Sequence, residues 1–126
     1  MATIKAPTMH DRIYVGTHGN LSVAFGKVEL NGPGPGTVVE LLDVPVGVKV
    51  IGLRVHTNGM GMGVTADIKL GVIPLAIGAD LSAYATTVVP VRPTYTDQKA
   101  VLSAVLAGGS AMGTLEVTLE YLSEGY

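Results

Sequence analysis

The chain is 126 residues long, 48% apolar and 14% charged, with a formal charge of −2 and no cysteine. That length suits one domain able to bury roughly two thirds of its unfolded surface. The missing cysteines exclude a disulfide framework and thiolate metal sites, the singly scattered charges exclude the basic stripe of a nucleic-acid binder, and a charged fraction well under the usual figure of about 25% leaves a largely neutral, self-associating surface.

Taken from the start, MATIKAPTMHDR lacks the apolar core of a signal peptide, and no window approaches about 18 uninterrupted apolar residues. Neither membrane insertion nor general secretion is expected, and the chain reads as one made in a cytoplasm. Residues 1–11, with Pro7 and no alternation, read as an extended arm that leaves a single domain at 12–126 and is ordered by a partner. Candidate strands then follow near 12–16, 20–30, 37–43, 48–57, 64–73, 86–92, 99–107 and 113–122. In the last of them Leu115, Val117, Leu119 and Tyr121 fall on one face, and Glu116, Thr118 and Glu120 on the other. Gly26 and Gly52 interrupt their runs and predict bulges or bends, and Pro90 predicts an edge strand or a bulge.

Turn vocabularies separate the runs: NGPGPG at 31–36, VPVG at 44–47, NGMGMG at 58–63 and AGGSAMG at 107–113. Asn58 followed by Gly59 predicts a hairpin, with Met60 and Met62 exposed at its tip. Residues 80–84 are the one stretch that suits a helical turn, capped by Asp80. The fold class is therefore all-β, an antiparallel β-sandwich of two four-stranded sheets, as in an eight-stranded jelly roll.

No motif assembles chemistry. A dinucleotide fingerprint needs G-x-G-x-x-G opening a helix, because the helix N-terminus meets the pyrophosphate; NGMGMGV has another spacing and runs into a strand. No G-x-S-x-G elbow is present, and Ser110 lies in a loop without a following helix. Glu116 and Glu120 stand about 13 Å apart on one strand, too far for a glycosidase pair. His10, Asp11 and His18 are of ligand type but lack a compact metal-site spacing, and His56 reads as a solvent-facing or edge-bonded side chain. The tyrosines Tyr14, Tyr84, Tyr95, Tyr121 and Tyr126 are too dispersed for the stacking platform of a carbohydrate-binding jelly roll, the alternative class. The expectation is a protein with no catalytic, cofactor or metal site.

Two stretches carry a resemblance. VELLDVPVGVKVIGLRV at 39–55 resembles a strand-turn-strand phrase of the capsid decoration proteins of tailed bacteriophages, also called cement or head-stabilising proteins. KAVLSAVLAGGSAMGTLEVTLEY at 99–121 resembles the C-terminal hairpin of the same group. The resemblance implies a β-sandwich on the capsid exterior that bridges neighbouring copies of the major capsid protein, as a homodimer or homotrimer, with no nucleic-acid or membrane partner. Another virion component, in a tail, head-fibre base or connector, would share the fold. On this reading the arm and the two glycine loops reach the shell or a sister subunit, through Ile4, Pro7, Met9, Pro33, Pro35, Met60 and Met62.

Overall fold

The computed structural model describes residues 3–10 and 21–123, which form nine strands and no helix. They are β1 (Thr3–Lys5), β2 (Leu21–Asn31), β3 (Val38–Val44), β4 (Val48–Asn58), β5 (Thr65–Leu70), β6 (Ile73–Asp80), β7 (Tyr84–Tyr95), β8 (Ala100–Ala107) and β9 (Met112–Ser123). One sheet runs β1-β3-β8-β5-β6 and the other β2-β9-β4-β7. Paired strands are antiparallel, except that β1 lies parallel to β3. From β2 to β9 each connection but the β5–β6 turn crosses from one sheet to the other, so eight strands wrap as a jelly roll with β1 added at an edge.

The period-two pattern works because a strand between two environments must send alternate side chains to each. On β9 the faces fall as predicted: Leu115, Val117, Leu119 and Tyr121 are fully buried, while Thr114, Glu116, Thr118 and Glu120 line the outer surface. Across the interlayer space they meet a core that includes Val39, Leu41, Leu42, Ile68, Leu102, Ala104 and Leu106. Each such side chain contributes roughly 1.5–3 kcal/mol on burial, which is what binds two sheets without staples.

Several expectations are corrected. The strand expected at 64–73 ends at Leu70, turns at Gly71, and returns as β6, which had no expected counterpart. The strand expected at 12–16 lies outside the described residues. Residues 80–84 form no helix; Asp80 Oδ1 accepts the backbone N–H and the hydroxyl of Ser82, at 2.9 and 2.6 Å, closing a side-chain turn. Neither 58–63 nor 107–113 is a hairpin loop, because β4 and β9 belong to one sheet and β5 and β8 to the other.

Gly52 sits beside a register shift in β4, as a bulge glycine should. Gly26 does not: β2 pairs evenly with β9. Its reason is close approach, since a Cβ there would lie 2.8 Å from Leu41 Cβ on the facing sheet. Pro90 lies on β7, an edge strand, as predicted.

Candidate functional surfaces

The strand directions sort the surfaces of the domain into two ends and two flanks. The loops after β2, β4, β6 and β8 gather at one end. There the backbone N–H of Met60 donates to Leu81 O at 2.8 Å, Leu81 N–H to Val64 O at 2.9 Å, Met112 N–H to Met60 O at 3.0 Å, and Gly32 N–H to Ala111 O at 2.7 Å. The Asn58 amide oxygen accepts Thr114 N–H at 2.9 Å. Met60, Val64, Leu81 and Ala111 are buried beneath this mesh. The glycines of NGMGMG serve the mesh: Gly59, Gly61 and Gly63 all take positive φ, and a Cβ on Gly108 would collide with the Gly63 carbonyl. The loops that looked like flexible tips are a bonded lid on the core.

One flank, between β2 and β3, is sealed by the N-terminal segment. Ala6 N–H donates to Glu40 O at 2.8 Å, and Asp43 N–H to Met9 O at 3.0 Å. Thr8 bridges the two sheets: its hydroxyl donates to Leu41 O at 2.9 Å and accepts Lys27 N–H at 3.1 Å. Ala6 and Met9 are buried, so residues 3–10 lie on the domain instead of leaving it.

The other flank, between β6 and β7, is open. Thr87 and Ala85 of β7 pair with Val55 and Thr57 and share their inward face, as opposite residues of a ladder do. Val55 and Thr57 are buried, yet Thr87 and Ala85 are exposed, because none of the described residues covers them. On β6, Ile73 is 44% exposed although its partner Leu70 is buried, and Ile77 is 69% exposed. Val88 and Tyr84 add 58% and 76% exposure on β7. The edges themselves are blunted. Two residues of β6, Ile77 and Gly78, bulge opposite Asp67, whose carboxylate accepts Gly78 N–H at 2.8 Å, and Pro90 and Pro93 remove ladder donors from β7.

At the end opposite the glycine loops a cleft of about 620 Å³ is bordered by charged side chains. Asp43 meets His10 at 3.0 Å and Lys99 at 4.0 Å, and Lys5 meets Glu40 at 3.5 Å. Arg54 and Glu120 pair at 3.6 Å on the outer face of the four-stranded sheet. The basic partners are largely exposed, so these pairs orient side chains more than they stabilise. His56 bonds the Thr86 hydroxyl at 2.7 Å and meets Tyr84 edge-on at 5.5 Å. The Asp80 carboxyl is held below the ordinary carboxylate range by the Ser82 hydroxyl and then by its N–H. Among the described residues no three His, Asp or Glu side chains gather as a metal site; Asp11 and His18 lie outside them.

The predicted contact residues divide. Pro35 and Met62 are exposed at the glycine-loop end, Met62 to 95%, with Pro33 half-buried beside them. Pro7 is exposed and Ile4 half-buried on the sealed flank. Met9 and Met60 are buried in the chain's own core, at 4% and 0%, and have no side-chain surface to give a partner. Met60 points inward because its backbone is tied to Leu81 and Met112. The open flank was missed by sequence reasoning, although 71–91 carries a single charge, Asp80, and that signal was legible.

No protein-family model matches the sequence, and no curated protein does. Solved structures do match in fold. A chain from the capsid of Ralstonia phage GP4 superposes with a TM-score of 0.77 at 15% identity, over 99% of this chain and 100% of that one. A chain from the capsid asymmetric unit of cyanophage Pam1 gives 0.58 at 16% identity, over 90% and 94%. A chain from the acid-stable capsid of Helicobacter pylori bacteriophage KHP30 gives 0.58 at 14% identity, over 86% and 92%. At these identities the likeness is one of fold.

Proposed function

We propose that this chain is a structural phage virion protein that binds the outside of a capsid and stabilises it by bridging neighbouring major capsid subunits, as a dimer or trimer. The observation that carries the reading is the end-to-end match with a chain from the capsid of Ralstonia phage GP4, which the superposition covers completely. A jelly roll whose glycine-loop end is closed by its own backbone hydrogen bonds offers a firm surface for contact. Capsid-filling DNA pushes outward, and a subunit across a seam adds interface that must break before the shell opens. Repetition around a closed shell raises the effective concentration at every remaining contact, so modest individual interfaces hold together.

For the shell-facing surface, the exposed Pro35 and Met62, with Pro33, form the strongest part of the predicted set, since an adaptable thioether on a bonded lid offers apolar reach without loosening the fold. Capsids prepared without this protein test the proposal. Added chain should co-sediment with them to saturation and raise the temperature at which they release DNA, and Met62→Glu with Pro35→Glu should reduce occupancy. Capsids that neither bind the chain nor gain resistance would refute the reading.

A further inference from the structure

We infer that the open β6–β7 flank is the surface on which a second copy of this chain docks, about a two-fold axis that sets Asp80 of one copy against Arg92 of the other. The inference rests on the self-association in the reading above and not on capsid binding.

Three observations point to it. First, access: within 71–95 all residues but Leu81 and Val91 are exposed or half-exposed, so both edge strands are reachable along their length. Second, chemistry: the inward faces of Leu75, Ala76 and Val89 already pack on the core, and Ile73, Ala85 and Thr87, paired with the buried Leu70, Thr57 and Val55, continue that surface into solvent, with Ile77 exposed at the bulge on the same edge. A covering subunit would extend the core. The bulge at Ile77 and Gly78 and the prolines Pro90 and Pro93 prevent a continuous ladder, so docking is through side chains.

Third, charge. Asp80 and Arg92 are the flank's two charges, and neither makes an ion pair among the described residues. Asp80 ends β6 at the glycine-loop end, whereas Arg92 lies eight residues beyond the start of β7, roughly 25 Å toward the opposite end. An isologous interface places the same patch on both subunits, and a two-fold axis running across the strands reverses one flank against the other, whereas an axis along them would not. Each Asp80 then approaches the partner's Arg92, twice per dimer. A parallel placement would instead oppose like charges.

Sedimentation velocity of the isolated chain across micromolar concentrations tests this, with circular dichroism and melting to confirm folding. The wild type should be a dimer, and Ile77→Asp a folded monomer. Arg92→Glu and Asp80→Arg should each weaken dimerisation by about tenfold or more, and the combined Asp80→Arg, Arg92→Glu chain should recover most of it. A wild type that stays monomeric, a trimer, a dimer indifferent to Ile77→Asp, or a charge exchange without recovery would each overturn the inference. Capsid co-sedimentation of the Arg92→Glu chain separates the two readings: binding by a folded monomer leaves capsid attachment standing without the dimer. Dimerisation by a wild type that binds no capsid does the reverse.

Discussion

The two flanks of the sandwich end differently. Where β2 meets β3, residues 6–10 fold back over the gap, Thr8 bonds both sheets, and Gly26 lets Leu41 approach to contact distance. Where β6 meets β7, inward-facing Ala85 and Thr87 remain in solvent, and among the described residues no segment returns to cover them. A flank closed by the chain itself serves stability. A flank left apolar, nearly uncharged and blocked against ladder growth suits the docking proposed above.

That contrast predicts unequal penalties for comparable changes. The largest is Leu41→Ala, which empties a fully buried site on the closed flank and should cost about 2–5 kcal/mol in urea unfolding. Ile77→Asp on the open flank should shift the same measurement, taken on monomer, by no more than about 0.5 kcal/mol. Equal losses at both positions would erase the distinction. Gly26→Ala should cost about 1–3 kcal/mol, because the new Cβ meets Leu41 Cβ at 2.8 Å and its carbonyl oxygen at 3.3 Å, so the sheets must part. Thr8→Val keeps the shape, deletes the bridge between Lys27 N–H and Leu41 O, and should cost about 1–2 kcal/mol.

The smallest effect concerns Asp80, whose carboxyl is depressed by its bonds from Ser82. A lowered folded value means the contribution is complete above the unfolded carboxylate value of about 4 and is lost as pH falls through the folded one. The urea midpoints of wild type and Asp80→Asn should therefore differ most near neutral pH and converge in acid. A gap that widened on acidification would contradict the turn described here.

Much of the fold was legible because β9 and β4 lie between solvent and core and must alternate. β6 was not, since Pro74 and Gly78 break its rhythm and its apolar residues face water on an open flank. Sheet membership was hidden for a different reason. Asn58 followed by Gly59 carries the local signature of a hairpin, but the partners of β4 are β9 and β7, chosen by long-range packing that no dipeptide records. Met60 and Met62 show the same limit at a smaller scale: two residues apart in one glycine loop, one is wholly buried and the other almost wholly exposed. For the candidate surface, the charge-poor run 71–91 was visible in the sequence, whereas its openness depends on which strands lie opposite it.

The most direct test of the whole account is electron cryomicroscopy of phage particles that contain this chain. The account predicts density for the jelly roll on the outer shell surface, each copy touching two neighbouring major capsid subunits. Density confined to the tail or the capsid interior, or resting on one subunit alone, would contradict it.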